Sequence, residues 1–241
     1  MSSRRVVITG IGALTPVGKS APDFWNGLLS GKSGARSIDK FDTTGFTSTF
    51  AALIDDYDPL EHFERKEARK LDLVAQYALV ASEEAILDSK LNLEEIDKDR
   101  VGVHVGTGIG GMKTFYDQSI AYSERGPRGV SPFFIPMLIP DIVSGQISIK
   151  YGFRGPNFNP SSNDKTPVAV SAENSPKECP ATQSGVISIV LNTAIECTNS
   201  AGCVYSVCFK LSSGPSNMML DNENPRISFA SSIIFLASGS D

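Results

Sequence analysis

No run of apolar residues approaches the roughly 20 needed to cross a bilayer as a helix, and Met1-Ser2-Ser3-Arg4-Arg5 leads into only a short apolar stretch before Pro16. Neither a membrane span nor a secretory leader is written there, so a cytoplasmic protein is expected. Basic charge is short as well. The 22 Lys and Arg against 27 Asp and Glu give a net charge of -5, which offers no grip on a phosphate backbone and argues against a nucleic-acid partner. Histidine occurs only as His62 and His104, and cysteine only as Cys179, Cys197, Cys203 and Cys208. Zinc sites need closely spaced cysteine pairs backed by a second pair or by histidines. These spacings supply none, so no metal or other cofactor is expected, and the cysteines read as free thiols of a reducing compartment.

What is present is an ordinary globular composition, 41% hydrophobic and 20% charged over 241 residues, enough for one or two cores. It is not uniform. From Asn159 onward the chain turns rich in Ser, Asn, Pro and Thr, and its only basic residues are Lys165, Lys177, Lys210 and Arg226. Two regions follow, 1–158 and 159–241. All four cysteines lie in the second region and both histidines in the first.

The first region alternates strands and helices. Arg5-Val6-Val7-Ile8-Thr9 is a short apolar run ending at Gly10, suited to a strand buried on both faces. Ser20 caps a helix with Pro22 in its first turn, placing Phe24, Trp25, Leu28 and Leu29 on its apolar side before Gly31-Lys32-Ser33-Gly34 stops it. A longer helix is predicted from about Arg65 to Asp88, with Leu71, Val74, Ala75, Ala78, Ser82, Ala85 and Ile86 at spacings of three and four. That stripe of small side chains predicts a tightly packed interior helix. Arg100 to Val105 reads as the next strand, running into Gly106-Thr107-Gly108-Ile109-Gly110-Gly111, and a helix follows through Thr114-Phe115-Tyr116.

Two glycine-rich turns after strands raise the question of nucleotide binding. Gly10-Ile11-Gly12-Ala13-Leu14-Thr15 lacks a third glycine, and Pro16 keeps a helix from starting where a pyrophosphate would need its N-terminus. Gly106, Gly108 and Gly111 fit G-x-G-x-x-G, yet no acid-ended strand follows; the chain reads Glu124-Arg125-Gly126-Pro127 instead. A structural role accounts for them better: a sharp turn beside another segment, with Ile109 as its one large side chain.

The residues then become specific. Arg4 to Gly18 (RRVVITGIGALTPVG), Phe24-Trp25, Gly31 to Gly34, Gly106 to Gly111, Ser131-Pro132-Phe133-Phe134-Ile135-Pro136 and Tyr151-Gly152-Phe153-Arg154-Gly155-Pro156-Asn157 stand in this order. Together they resemble the β-ketoacyl-acyl carrier protein synthases, nearest to the chain-elongating type II of bacteria, from Met1 to Phe158. The resemblance implies a thiolase-like α/β fold, of which this is the N-terminal half: a mixed sheet with buried and covering helices. It implies a homodimer, acyl carrier protein as partner, and malonyl and acyl thioesters as substrates in fatty-acid biosynthesis. The chemistry implied is decarboxylative condensation by an acyltransferase. A cysteine thiolate takes the acyl group, malonyl-carrier protein loses carbon dioxide, and the carbanion attacks the thioester, with two histidines and a lysine assisting. A helix N-terminus activates the cysteine. By motif position, Ile109 and Phe134 line the acyl-chain pocket; as plain residues, either reads equally as core.

The second region departs from this pattern. After Gly-Pro-Asn-Phe the family continues to a Thr-Ala-Cys turn, and counting forward from Gly155-Pro156 puts Asp164 where the nucleophile belongs. An aspartyl mixed anhydride would hydrolyse readily. Cys197, within Thr193-Ala194-Ile195-Glu196-Cys197, is a fainter and displaced candidate. His62 and His104 match no catalytic motif and read as surface and strand residues. Whether the chain is an enzyme stays open, and three readings of the tail stand: a reading-frame change or insertion leaving a truncated, inactive synthase; fusion to another module, with 186–191 and 232–237 as strands; or a non-catalytic partner subunit. Without a second half, the stripe from Leu71 to Ile86 is expected to lack a neighbour.

Overall fold

The computed structural model describes residues 5–107, 109–159, 194–197, 203–206 and 232–240. Strand β1 (Arg5–Leu14) is followed by helix α1 (Ala21–Leu29), the hairpin of β2 (Ala35–Ser37) and β3 (Phe50–Ala52), and helices α2 (Arg65–Ala68) and α3 (Leu73–Ser89). Strand β4 (Val103–His104) then leads to α4 (Met112–Arg125), α5 (Phe134–Leu138), α6 (Asp141–Tyr151) and β5 (Asn157–Phe158). Three strands of the second region are described: β6 (Ala194–Cys197), β7 (Cys203–Ser206) and β8 (Ser232–Ser240). The pairing is mixed, with β4 and β5 parallel, and β1–β8, β2–β3 and β6–β7 antiparallel. No helix among the described residues is long and apolar enough to cross a membrane.

The core is built on α3. Ala75, Ala78, Ala81, Ser82 and Ala85 are all buried, and their small side chains let neighbours come close. Above them lies β1, whose Gly10 and Gly12 face the helix. A Cβ on Gly12 would stand 2.7 Å from the Ala85 nitrogen and closer still to the Ala81 carbonyl oxygen. Side chains on α3 then reach the strand edge. The Ile11 amide donates to Asp88 Oδ2 (2.9 Å) and the Ala13 amide to Glu84 Oε2 (2.7 Å), while Glu84 Oε1 accepts from the Ala21 amide at the head of α1 (2.8 Å). Across the helix, α6 contributes Val143 and Ile147, and β4 contributes Val103, with Val101 and Val105 beside it, all buried.

Four expectations change. The first glycine turn is not a turn: β1 continues extended through Gly10 and Gly12 to Leu14, because those glycines serve helix contact. The single helix over residues 65–88 divides into α2 and α3, since extended Asp72 (φ -69°, ψ 158°) starts a new helix by accepting the Val74 amide. On α1, Trp25 and Leu29 are exposed and only Gly27 is buried; its would-be Cβ falls on Val17, so the helix docks through its smallest residue. The stripe expected to lack a neighbour is covered: Leu71, Ala75, Ala78 and Ile86 are buried and Val74 is half-buried, with β8 lying against α3 as well as against β1. Ser20 caps α1 as read, accepting the Asp23 amide. The 232–237 run falls in β8; the 186–191 run lies outside the described residues.

Two outcomes follow. Gly12→Ala should cost roughly 1–3 kcal/mol by overpacking a backbone contact that cannot yield, read as a lowered urea midpoint. His104 is buried on β4, and burial holds its pKa below the ordinary 6.5. The unfolded chain therefore binds the extra proton as pH falls through about 6.5. Stability present at neutral pH should decline toward about pH 5, and urea titrations of His104→Gln should show a shallower decline.

Candidate functional site

The parallel pair β4–β5 delivers the chain to the glycine-rich turn. Gly102 and Gly155 let the two segments approach, and the Val103 amide donates to the Pro156 carbonyl (2.9 Å). Past Thr107 the chain turns: Gly110 has φ +83°, a conformation open to glycine. Its would-be Cβ points at the Leu138 carbonyl and Pro140, and the Gly111 amide donates to the Leu138 carbonyl (2.9 Å). The turn that carries Ile109 is thereby fastened to the end of α5, the helix that Phe134 begins. Gly108 lies outside the described residues.

Phe134 is half-buried and its ring stacks on Phe115 of α4, with centroids 6.5 Å apart and planes at 28°. The loop before it is set by Ser131, whose amide donates to Gln118 Oε1 (2.6 Å) and whose Oγ accepts from the Phe133 amide (3.1 Å). Ile109 is 38% exposed, so it is not a core residue. Met112, Phe115 and Tyr116 of α4, and Phe133 and Ile135 at the start of α5, are also exposed. The turn that bears Ile109 and the helix that Phe134 heads are joined through the Gly111–Leu138 hydrogen bond.

Asp72 ties the start of α4 to the start of α3. Gly111 occupies the N-cap of α4 and has no side chain to cap with. Asp72, itself the N-cap of α3, supplies the missing acceptor: Oδ1 accepts the Val74 amide (3.1 Å), and Oδ2 accepts both the Thr114 amide (2.9 Å) and the Thr114 hydroxyl (2.5 Å). One buried carboxylate caps two helices. The Asp before an apolar helical run was a legible cap signal; its second helix was not, because it lies 42 residues away.

Beside this junction stands a basic segment that sequence spacing also left unnoticed. Arg65, Lys66, Arg69 and Lys70 are exposed, and none has an acidic partner among the described residues. Lys70 Nζ lies 5.4 Å from the centroid of the Phe133 ring, within cation–π range.

Toward the end of the family-like region, Asn157 donates from Nδ2 to the Ser144 carbonyl (3.0 Å) and Ser148 Oγ (2.6 Å) and accepts the Ser144 hydroxyl (2.7 Å). Asn159 Nδ2 donates to the Pro140 carbonyl (3.1 Å). Asp164 lies outside the described residues. Cys197 ends strand β6, opposite Cys203 in register. His62 is exposed and follows a short 3-10 turn, its ring stacked on Tyr57; His104 is buried in β4. Among the described residues no three His, Cys, Asp or Glu side chains gather to hold a metal ion.

Comparison with known proteins identifies the family. The family profile described as "Beta-ketoacyl synthase, N-terminal domain" matches residues 3–174. The 3-oxoacyl-[acyl-carrier-protein] synthase 2 of Vibrio harveyi is 47% identical over 158 residues, covering 66% of this chain and 38% of that protein. Its counterpart from Staphylococcus aureus (strain COL) is 44% identical over 155 residues, covering 64% and 37%. The chain therefore spans under two-fifths of the length of these relatives. Among solved structures, the ishigamide ketosynthase/chain length factor superposes with TM-score 0.59 at 25% identity, over 67% of this chain and 40% of that one. A β-ketoacyl synthase from Burkholderia phymatum STM815 gives 0.53 at 26%, over 64% and 38%. A type II polyketide ketosynthase, AntDE, in complex with its acyl-carrier protein AntF and bound to the hexaketide gives 0.57 at 25%, over 77% and 51%.

Proposed function

Since this chain belongs to the β-ketoacyl synthase family through its N-terminal domain, we propose that it supplies the acyl-binding and carrier-docking part of a β-ketoacyl-acyl carrier protein synthase of fatty-acid biosynthesis. The reaction is the decarboxylative condensation of a malonyl thioester with an acyl thioester, in the cytoplasm. The observation that carries the reading is the apolar face on which the turn bearing Ile109 and the helix headed by Phe134 are fastened together. Ile109 and Phe134 line the acyl-chain pocket, where apolar side chains suit a hydrocarbon. We place the domain boundary at Phe158, where the family-like motifs end, although the family profile runs on to residue 174.

Acyl carrier protein is the proposed docking partner. The four exposed, unneutralised cations from Arg65 to Lys70 border the apolar face, and a positive rim of this kind steers an acidic partner. The solved complex of a related ketosynthase with its acyl-carrier protein supports the assignment. The exposed Met112, Tyr116 and Ile135 support a homodimer, in which large apolar side chains of this kind would be covered.

The 241-residue chain does not condense acyl groups by itself. Condensation needs a thiolate that attacks the acyl thioester carbonyl, releases the carrier thiol, and is itself expelled when the malonyl-derived carbanion attacks. Counting along the sequence puts Asp164, which has no thiol, at that position, and Cys197 ends a strand instead of heading a helix, where amides would lower a thiol pKa. The same observation favours a second reading, a non-catalytic partner subunit or binding module built on a synthase half. Association with an active synthase, measured alongside self-association, separates the two.

Incubated with malonyl- and acyl-carrier protein, the purified chain should give no ketoacyl product above a no-enzyme control. Product that disappears in Cys197→Ala would make Cys197 the nucleophile and overturn this assignment. Carrier-protein binding, followed by fluorescence anisotropy at low salt, should weaken about five- to tenfold in the double variant Lys66→Glu/Arg69→Glu and weaken further with added salt; equal affinity would remove the docking face. Light scattering should report a dimer for the native chain and a shift to monomer for Tyr116→Glu.

A further inference from the structure

We infer that Asp72 is a positioning residue for the acyl-chain pocket, one carboxylate whose two oxygens set the separation of α3 and α4 and thereby where Ile109 and Phe134 stand. The inference rests on the reading of those two residues as pocket wall.

The connections run in both directions from the carboxylate. Toward the turn, Gly111 packs against it so closely that a Cβ there would lie 3.1 Å from Asp72 Cγ, and Ile109 is two residues further back. Toward α5, the Thr114 amide and hydroxyl both donate to Oδ2; the next residue, Phe115, carries the ring on which Phe134 stacks. The loop is closed by the Gly111 amide on the Leu138 carbonyl. Asp72 is 6% exposed and heads the most deeply buried helix, so the anchor itself is fixed and the turn and α5 are placed relative to it. A glycine at the N-cap of α4 leaves that helix with no cap of its own, which makes its start depend on a residue of another helix.

Asparagine distinguishes the two duties. It has one acceptor oxygen in place of two and is a good N-cap, so Asp72→Asn can serve Val74 or Thr114 but not both. The fold should survive with α4 unseated.

The test uses the 241-residue chain and saturated acyl-pantetheine thioesters of eight and sixteen carbons, with dissociation constants from calorimetry. The native chain is expected to bind both with a length preference. In Asp72→Asn the ratio of the two constants should move about threefold or more, because pocket discrimination per methylene is of that order or larger. Thr114→Val should move it in the same direction, and Thr114→Ser, which keeps the hydroxyl, should restore the native ratio. A purely structural cap would lower the melting temperature and leave the ratio alone, and that result overturns the role of Asp72 by itself. Absence of acyl binding by the native chain overturns the pocket reading and this inference with it. Should Asp72→Asn not fold, the Thr114 pair decides: equal ratios in Thr114→Val and Thr114→Ser overturn the proposal.

Discussion

Helix α3 lies on strand β1 because Gly10 and Gly12 present no side chain to it, and Ala81 and Ala85 present almost none. At that distance the strand's outward amides come within reach of the helix's own carboxylates. Glu84 and Asp88 then do for one edge of β1 what a neighbouring strand would ordinarily do, and the part-buried Ala13 amide is one that would be costly to leave unpaired. Glu84 reaches the first amide of α1 as well, so a single side chain fixes the strand and the helix that follows it. A Cβ at either glycine would push the helix off and break these hydrogen bonds together, which makes the contact all-or-none.

The same helix orders the functional face from its other end. Its packing against β1, β4 and α6 leaves Asp72 little freedom, and Asp72 in turn starts α4, receives Gly111 and thereby meets the turn that carries Ile109. The turn that carries Ile109 and the start of α4 are thereby both tied to the N-cap of α3. Precise walls are better built on rigid elements than on loops, and here a loop is given the rigidity of a helix by a borrowed cap.

Local signals survived from sequence to structure where the cause was itself local. Ser20 with Pro22 marked the start of α1, and Gly110 marked a turn needing positive φ. The β-ketoacyl synthase motifs, each short and in order, marked the family. What failed to be legible depended on partners distant in sequence. Gly10 and Gly12 read as a turn because glycine after an apolar run usually is one, whereas their cause is α3, some seventy residues on. Helical periodicity carried the long helix straight through Asp72, because spacing alone does not register a residue turned extended by capping. On α1 the apolar residues Trp25 and Leu29 suggested a buried side, but docking is through Gly27, whose lack of a side chain is invisible to any count of hydrophobic positions.

Binding and bond-making are separable in this architecture. An acyl chain is held by apolar contact with a wall, which needs no charge and no proton, whereas condensation needs a thiolate poised by amides at a helix N-terminus. In this chain the elements that would form the wall are tied to a deeply buried helix through named hydrogen bonds, while the position counted for the nucleophile holds Asp164. A carboxylate there would repel the electron-rich carbonyl oxygen of a thioester, and any mixed anhydride it formed would be lost to water. Removing the thiolate abolishes the chemistry but leaves the free energy of burying each methylene, about 0.8 kcal/mol, almost untouched. On the proposed reading, holding an acyl group and extending it would thus fall to different parts of the molecule.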